Sequence, residues 1–376
     1  MTLKPRREVE SLGPVVHGGV NEAELEALGI GPEELLDFST GINPLGPPPA
    51  VRTALQDVPI ERYPDPSAIR LRRAIGAVLG VSPDEVLLGN GASELIMLVA
   101  LAYFRHRQRV MILGPTYGEY ERVTRLMGAR PVVVPRDVED PTAWDPVAVD
   151  RTLADSRPHV VFICNPNNPT GHRFGDSDIR RWVRRYPDTL FVIDESYAGL
   201  AGGPDFLRQA QPPPANLIVV RSLTKDYGLA GLRLGYAVAS APVIARLGRC
   251  QTPWSVNVAA QVAGLVVFTD PTVPIWLRQA VRRLWRFSDS LRRALVSAGF
   301  RVLPTATPFF LVHVGNATQV RQALLRDHRI LVRDCTSFGL PAWIRVMPGL
   351  QEANLRLVRA LMEVREWTRE PPAVGT

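Results

Sequence analysis

Short apolar runs alternate with amphipathic stretches between about Leu87 and Ala239, and no other feature of the chain constrains its fold as strongly. Such runs, separated by amphipathic segments, are typical of buried β-strands that alternate with helices. The alternation predicts an α/β fold in which helices cover both faces of a mostly parallel sheet. The predicted strands cover residues 109–113, 131–134, 160–164, 190–194, 217–221 and 235–239.

A second, smaller α+β unit is predicted after this region. The pattern is helical from residue 256 to about 298 and again, after several strand-like runs, over about 351–367. Those runs cover 301–303, 309–314, 330–333 and 342–346. The first 45 residues are rich in Gly and Pro, which predicts an arm that covers the site or joins the smaller unit. The 376 residues exceed one average domain, so we expect an arm over 1–45, a large domain over 46–248 and a small domain over 249–376.

Composition predicts a folded protein of the cytoplasm. Hydrophobic residues make up 46% of the chain and charged residues 22%, which is ordinary for a protein with a large core. No apolar run reaches the ~18 residues of a membrane span, so we expect no membrane partner. Cys164, Cys250 and Cys335 are far apart and lack the spacing of metal ligands. We therefore expect reduced thiols and no metal site.

The formal net charge of +7 raises the question of a nucleic-acid partner. The arginines, however, are dispersed along amphipathic segments such as 70–73 and 180–185, where solvated helix faces explain them. We therefore expect no nucleic-acid partner. An excess of positive charge is also consistent with anionic small-molecule ligands.

A lysine lies immediately after the predicted strand 217–221, where the sequence of residues 222–236 is SLTKDYGLAGLRLGY. Ligands of open α/β sheets collect at the carboxyl ends of the strands, and Lys225 lies at such an end, where an amine is suited to imine chemistry. Ser222, Thr224 and Arg233 add two hydroxyls and a planar cation that suit a phosphate dianion. A lone lysine is usually an ordinary surface residue, but this combination is much rarer.

With three other segments, this stretch resembles the cofactor-lysine signature of the fold type I pyridoxal-phosphate enzymes of the aminotransferase class I/II family. The other segments are 89–94 (GNGASE), 165–171 (NPNNPTG) and the strand ending at Asp194, which Tyr197 follows. The resemblance covers nearly the whole chain. It implies the aminotransferase-like fold type I, with a large domain of mostly parallel mixed sheet and a smaller α+β domain. It also implies pyridoxal 5'-phosphate as cofactor, carried on Lys225 as a Schiff base, and a homodimer with shared active sites.

The resemblance implies a role for each matching residue. Asp194 pairs with the pyridine nitrogen, because a carboxylate there keeps the nitrogen protonated and the ring an electron sink. Asn168 and Tyr197 contact the phenolic oxygen of the cofactor, and Tyr117 stacks on its ring. Lys225 shuttles protons after the substrate amine has displaced it. The cofactor phosphate is held by Gly91, Ala92, Ser93, Ser222, Thr224 and Arg233, and by a Tyr63 that the neighbouring subunit lends.

Within the superfamily the resemblance narrows to the branch of histidinol-phosphate aminotransferases and threonine-phosphate decarboxylases. Residues 17–19 (HGG) with 37–46 (DFSTGINPLG), and residues 330–339 (ILVRDCTSFG), resemble the decarboxylases more closely. The resemblance thus predicts a lyase that converts O-phospho-L-threonine to (R)-1-aminopropan-2-yl phosphate for cobamide (vitamin B12) biosynthesis. O-Phosphoserine differs by one methyl group and could serve as well, since a methyl group is typically worth ~1–3 kcal/mol.

Two arginines are expected to clamp the two anionic ends of this phosphorylated substrate. Arg345 matches the carboxylate arginine of the superfamily and Arg333 the substrate-phosphate arginine of the branch, and a guanidinium suits either anion. His17 is expected to assist at the phosphate, although a lone histidine in a glycine-rich stretch is as often structural. The substrate pocket is further expected to be lined by Gly41, Ile42 and Asn43.

Two alternatives remain open at this point. The first is an aminotransferase that acts on histidinol phosphate or a related amino acid, because decarboxylation and transamination differ only in which bond at Cα stands perpendicular to the cofactor ring. The second is a transcriptional regulator with an aminotransferase-like sensor domain. The residues before the first cofactor motif are too rich in Gly and Pro for the DNA-binding domain that it needs.

Overall fold

The computed structural model describes residues 3–134, 140, 144–202, 206 and 213–368. Its strands are β1 (Leu36–Asp37), β2 (Val86–Asn90), β3 (Arg109–Ile112), β4 (Arg130–Val133), β5 (Val160–Cys164), β6 (Leu190–Asp194), β7 (Leu217–Ser222), β8 (Leu234–Ala239), β9 (Phe310–His313), β10 (Ile330–Leu331), β11 (Arg333–Asp334) and β12 (Trp343–Val346).

The helices of the described residues surround these strands. They are α1 (Arg7–Glu10), α2 (Glu22–Leu28), α3 (Pro49–Ala54), α4 (Ile69–Leu79), α5 (Gly91–Tyr103), α6 (Glu119–Leu126), α7 (Pro146–Ser156), α8 (Asp176–Arg185), α9 (Ala198–Ala201), α10 (Ala241–Gly248), α11 (Val258–Thr269), α12 (Thr272–Ser297), α13 (Ala317–His328) and α14 (Gln351–Thr368).

A seven-stranded sheet in the order β2-β8-β7-β6-β5-β3-β4 forms the centre of the fold. All neighbouring pairs from β7 to β4 are parallel, whereas β8 runs antiparallel to both β2 and β7. The predicted α/β class with a mostly parallel mixed sheet is therefore confirmed. The bounds predicted for β5 and β6 agree with the structure, those of β3, β7 and β8 differ by one residue at one end, and those of β4 differ by one residue at both ends.

Both faces of the sheet are buried. Along β6, Phe191 and Ile193 pack into one hydrophobic cluster, whereas Leu190 and Val192 pack into the cluster on the opposite face. This follows from the two-residue repeat of a strand, and it explains why the strands are continuous apolar runs instead of alternating ones.

One edge of the sheet collects the segments that carry the predicted chemistry. The parallel strands β5, β6 and β7 end there, and because β8 is reversed, its first residues lie beside the last residues of β2 and β7. Gly235 is thus the register partner of both Gly89 and Ser222. The loops that follow β2, β5, β6 and β7 therefore lie at the same edge of the sheet as the segment that precedes β8.

The C-terminal part holds an antiparallel sheet of β11, β12 and β9, in that order. The arm reaches this part, because β1 pairs in parallel with β10. The predicted strand 301–303 is reduced to a single bridge between Val302 and Val312, and the long helical pattern is divided into α11 and α12, which meet at 88°. The proposed boundaries at residues 45 and 248 stay predictions.

No single helix of the described chain is long and apolar enough to cross a membrane; α11 and α12 pass the same test of length and composition only when taken together.

Gly235 offers a test of how the fold positions this edge. A Cβ at this residue would lie 2.9 Å from the amide nitrogen of Ala92 and 2.8 Å from the carbonyl oxygen of Arg221. Because both neighbours are backbone atoms, Gly235→Ala is expected to lower the free energy of unfolding by about 1–3 kcal/mol. Thermal unfolding would measure this loss. The control is Gly231→Ala, since nothing lies within 4 Å of that position; equal melting temperatures for the two variants would contradict the expectation.

Candidate active site

A cavity of about 700 Å³ opens at the edge of the large sheet, between that sheet, the arm and the C-terminal part. A cavity of this size is suited to a cofactor together with a small substrate. Most of the predicted site residues line it: His17, Ala92, Ser93, Tyr117, Asn168, Asp194, Tyr197, Ser222, Thr224, Lys225, Arg233, Arg333 and Arg345.

Lys225 lies just past β7 and projects into this cavity. Its side chain is half-buried, and Nζ donates a hydrogen bond to the carbonyl oxygen of Thr40 at 3.4 Å. Nζ is also 5.9 Å from the ring centroid of Tyr197. The lysine amine is therefore directed towards the groups that the resemblance assigns to the cofactor.

One end of the cavity is built for a phosphate. Gly91 and Ser93 lie in the first turn of α5, where free backbone amides favour an anion. The guanidinium of Arg233 lies so close to Gly91 that a Cβ there would be 2.6 Å from Nη2. Across from this helix, the hydroxyls of Ser222 and Thr224 are 2.7 Å apart. No ion pair of Arg233 is found among the described residues, so a phosphate would supply the missing negative charge.

Asp194 ends β6 at the floor of the cavity. Its Oδ1 accepts a hydrogen bond from the amide of Ser196 at 2.9 Å, and its Oδ2 accepts one from the hydroxyl of Tyr120 at 2.7 Å. Tyr120 is fully buried and stacks on Phe162 with ring centroids 4.7 Å apart. Burial and the neighbouring Asp194 raise the pKa of Tyr120 well above its usual value, so the phenol stays a hydrogen-bond donor.

Tyr120 was missed by the sequence analysis, although it lies only three residues after the predicted stacking residue Tyr117. On α6 the side chain of Tyr120 turns towards the sheet, and its ring packs edge-on against Tyr117. The signal in the sequence was a tyrosine one helical turn beyond a site residue. Burial raises the pKa of Tyr117 itself to about 12, so this phenol is neutral as well.

The two arginines that are predicted to bind the substrate are direct cross-strand neighbours. Arg333 on β11 pairs in register with Arg345 on β12, and both side chains are buried, with 5% and 3% exposed. Arg333 donates to the carbonyl oxygen of Val16 and the hydroxyl of Ser337, each at 2.7 Å. Burial, reinforced by the charge of Arg345, lowers the pKa of Arg333 to about 10. The guanidinium of Arg333 thus stays cationic near neutral pH, and a buried pair of arginines is suited to binding anions.

Arg345 also links the C-terminal part to the large sheet. Its guanidinium donates to Oδ1 of Asn168 and to the carbonyl oxygen of Ser39, while its Nε is buried without a hydrogen-bond partner among the described residues. Asn168, which is assigned to the cofactor oxygen, therefore touches the substrate arginine as well.

His17 lies at the rim, between the two ends of the cavity. Its Nε2 is 3.2 Å from Oε1 of Glu119, and Oε2 of the same carboxylate accepts from Arg122 at 2.6 Å. Burial alone would raise the pKa of Glu119, but these two partners outweigh it and hold the pKa below its usual value. The arm that carries His17 covers one wall of the cavity with residues 11–18.

Five predicted residues are absent from the cavity lining: Gly91 lies against Arg233 at the start of α5, and the other four lie elsewhere in the single chain. Tyr63 is 80% exposed and lies outside the cavity lining, which leaves its predicted role at a neighbouring subunit as a prediction. Gly41, Ile42 and Asn43 are also outside the lining, because Thr40 occupies that wall. Asn43 instead supports the lysine loop, since its amide and its side chain donate to the carbonyl oxygens of Lys225 and Asp226, each at 3.0 Å. The chain turns through a left-handed Gly41 against the phenol of Tyr197.

Comparisons with known proteins agree with this geometry. The sequence profile of the family described as aminotransferase class I and II matches residues 33–361. A histidinol-phosphate aminotransferase of Moorella thermoacetica is 32% identical over 368 residues, which cover 96% of this chain and 93% of the relative. One of Symbiobacterium thermophilum is 35% identical over 366 residues, covering 95% and 97%.

Solved structures show the same fold. The histidinol-phosphate aminotransferase of Sinorhizobium meliloti, in complex with pyridoxal-5'-phosphate, aligns with a TM-score of 0.86 at 23% identity, over 98% of this chain and 99% of that chain. The L-threonine-O-3-phosphate decarboxylase of Porphyromonas gingivalis aligns with a TM-score of 0.77 at 27% identity, over 88% and 100%.

The fold and the site define a fold type I pyridoxal-phosphate enzyme, and the chain belongs to the aminotransferase class I and II family. Its cofactor is pyridoxal 5'-phosphate. The residues fit this group, because Gly91, which has no Cβ, lets the guanidinium of Arg233 lie against the first turn of α5, where a phosphate would meet both the cation and free backbone amides. The group would lie between this cradle and Asp194, within reach of Lys225.

Tyr120→Phe tests the contact with Asp194. The change removes one hydroxyl and keeps the stacked ring, so Asp194 loses one of its two donors. A hydrogen bond to a charged group is worth about 1.5–3 kcal/mol, and we expect at least ~10-fold weaker binding of pyridoxal phosphate in a titration followed by absorbance. Tyr103→Phe is the matched control, because the buried hydroxyl of Tyr103 has no partner among the described residues. Equal affinities for both variants would exclude a role for the Tyr120 hydroxyl.

Asp226, next to the lysine, is expected to make stability depend on pH. It is buried with Oδ1 unpartnered, and burial raises its pKa to about 7, against the opposing charge of Arg221. The folded state therefore holds a proton that the unfolded chain releases at about pH 4, so this group costs stability as pH rises from about 4 to about 7. Asp226→Asn should remove that loss, and its melting temperature relative to wild type should rise across this window. A constant difference at all pH values would contradict the assignment.

Proposed function

We propose that the chain is a pyridoxal-phosphate-dependent aminotransferase that transfers the amino group of histidinol phosphate, or of a related phosphorylated amine, to 2-oxoglutarate. The observation that carries this proposal is the buried pair of arginines, Arg333 and Arg345. No carboxylate forms an ion pair with either guanidinium among the described residues, and Arg345 Nε has no partner there. Buried cations without counter-ions favour a ligand that brings its own negative charges.

Both substrates of such an enzyme satisfy this requirement in turn. The phosphate of the amine would be held by Arg333, and the two carboxylates of 2-oxoglutarate would be held by Arg333 and Arg345. The relatives of Moorella thermoacetica and Symbiobacterium thermophilum carry the name histidinol-phosphate aminotransferase and match this chain over nearly its whole length, which supports the choice of substrate.

The residues divide the work of the reaction. When bound, the cofactor supplies an electron-withdrawing ring that makes the Cα bonds of the substrate easier to break. Asp194, fixed by Tyr120 and Ser196, would hold the ring nitrogen, and Tyr117 would cover the ring face. Lys225, freed by the substrate amine, would take the proton from Cα and return it. The arginines would set the orientation of Cα, so that the C–H bond faces the lysine.

A second candidate is the decarboxylation of O-phospho-L-threonine in cobamide biosynthesis. The observation in its favour is the segment 330–339, whose sequence ILVRDCTSFG resembles the decarboxylases and whose Arg333, Ser337 and Phe338 line the cavity. The same clamp suits this substrate, with its phosphate on Arg333 and its carboxylate on Arg345. The structural relative from Porphyromonas gingivalis carries this activity in its name.

The quaternary structure belongs to the same proposal. We infer a homodimer whose sites are shared, in which Tyr63 of each chain reaches the cofactor phosphate of the other. The arm, the large domain and the small domain would then follow the predicted boundaries, and the cavity would lie where the three meet.

Two incubations of the purified, cofactor-loaded protein separate the candidates. Histidinol phosphate with 2-oxoglutarate should yield glutamate, measured by a coupled dehydrogenase assay. O-Phospho-L-threonine alone should release no carbon dioxide. Carbon dioxide release without glutamate formation would replace the first candidate by the second, and the absence of both products would contradict both.

Arg345→Lys tests the clamp in the same assay. Lysine keeps the charge but loses the planar, two-pronged contact, so KM for 2-oxoglutarate should rise about 10-fold or more, as expected for the loss of a charge-assisted hydrogen bond. Arg356→Lys, on the exposed face of α14, is the control and should leave KM unchanged.

A further inference from the structure

Two exposed aromatic side chains stack on each other where the segment of Tyr63 meets the residues before α11. The rings of Tyr63 and Trp254 have centroids 4.6 Å apart and an interplanar angle of 29°, although the residues are exposed by 80% and 47%. Ile60, in the same segment as Tyr63, is 85% exposed. Exposed aromatic and aliphatic groups that lie together are typical of a surface that binds another protein.

The backbone holds this stack in a defined position. Trp254 has φ of +55°, a left-handed conformation that a bulky residue rarely adopts without support. Three residues later, Asn257 caps the start of α11 by accepting from the amide of Ala260. One turn on, Gln261 donates to the carbonyl oxygen of Asp65 at 2.9 Å and so fastens the segment of Tyr63 to the same helix.

The start of α11 is also joined to the end of the cavity that holds Arg233. The side chain of Asn257 donates to the carbonyl oxygen of Leu232 at 3.1 Å, and the next residue is Arg233. Arg233 lies over Gly91 but remains exposed in the single chain, so the phosphate cradle is open on this side. The exposed stack and the open cradle therefore belong to one surface.

A two-fold dimer satisfies both features at once. In such a dimer both chains use the same surface for contact. A surface that carries both the exposed Tyr63 and the open phosphate cradle can therefore pair with a second copy of itself. The occupant that fits is thus a second copy of this chain, whose Tyr63 closes the open side of the cradle while its own cradle is closed in return.

We propose that Trp254 is a positioning residue of this shared site: by stacking on Tyr63 it holds the phenol in the orientation in which it reaches the cofactor phosphate of the other subunit. This inference rests on the shared-site dimer of the proposed function. It goes beyond that function by assigning a role to Trp254 and its left-handed turn, and it is independent of the substrate.

The first test is a double-mutant cycle on cofactor affinity. Trp254→Ala is expected to weaken pyridoxal phosphate binding about 10-fold, and Trp254→Phe, which keeps a stacking ring, should bind within about twofold of wild type. In a Tyr63→Ala background, Trp254→Ala should have no further effect, because the group that it positions is gone. Additive losses in the double variant would overturn the proposal, since a purely structural role does not depend on Tyr63.

The second test places the two residues in different subunits. Hybrid dimers are purified from one chain with Trp254→Ala and a differently tagged chain with Lys225→Ala, and the cofactor is fixed to lysine by borohydride reduction at increasing pyridoxal phosphate concentrations. The site that retains Lys225 receives an intact Tyr63–Trp254 pair from the other chain, so its half-saturating concentration should return to the wild-type value. If it stays as weak as in the Trp254→Ala homodimer, Trp254 acts within its own chain and the proposal fails.

Neither readout involves a substrate, so a wrong choice between transamination and decarboxylation leaves both results unchanged. Sedimentation of the wild-type protein as a monomer would overturn the inference directly. Should Trp254→Ala fail to fold, Trp254→Leu replaces it in both tests.

Discussion

The reversal of one strand determines where the chemistry of this enzyme lies. Because β8 runs antiparallel between β2 and β7, its first residues lie beside the last residues of both neighbours. As a result, Arg233 lies over the start of α5, opposite the hydroxyls of Ser222 and Thr224. In a fully parallel sheet, the residues before β8 would lie at the opposite edge, and the phosphate cradle would lose its cation.

The sequence predicted those parts of the site that directly follow a strand. Lys225, Asp194 and Asn168 each lie at or just after the carboxyl end of a buried apolar run, so a strand prediction and the rule for α/β sheets suffice to bring them together. Tyr120 escaped because its contact with Asp194 spans 74 residues of sequence and depends on which face of α6 is turned to the sheet. The position of Thr40 in the cavity wall was not predicted for another reason. Residues 38–48 hold no strand or helix, so no repeat in the sequence indicates which of their side chains point into the cavity.

The choice of reaction depends on features that motifs record only weakly. The segments around His17 and Arg333 resemble the decarboxylases, whereas the relatives from Moorella thermoacetica and Symbiobacterium thermophilum, which match nearly the whole chain, are named aminotransferases. These relatives support transamination, the alternative that the sequence left open, better than decarboxylation. Both proposed activities would use the same cross-strand pair of arginines. They would differ in the angle at which that pair holds Cα, and this angle would follow from the position of β11 and β12 and not from residue identity.

The contact between Arg345 and Asn168 offers a physical route by which substrate and cofactor sense each other. Arg345, in the C-terminal part, is proposed to bind the substrate, yet in this structure its guanidinium binds the amide oxygen of Asn168, a residue assigned to the cofactor. An arriving carboxylate would compete for that guanidinium, and the side chain of Asn168 would then be free to turn its hydrogen bonds towards the cofactor oxygen. Because Arg345 also holds the carbonyl oxygen of Ser39, the same exchange would loosen the arm that carries Thr40 above Lys225. Binding of the anionic substrate and adjustment of the groups around the lysine would then be coupled through one buried side chain.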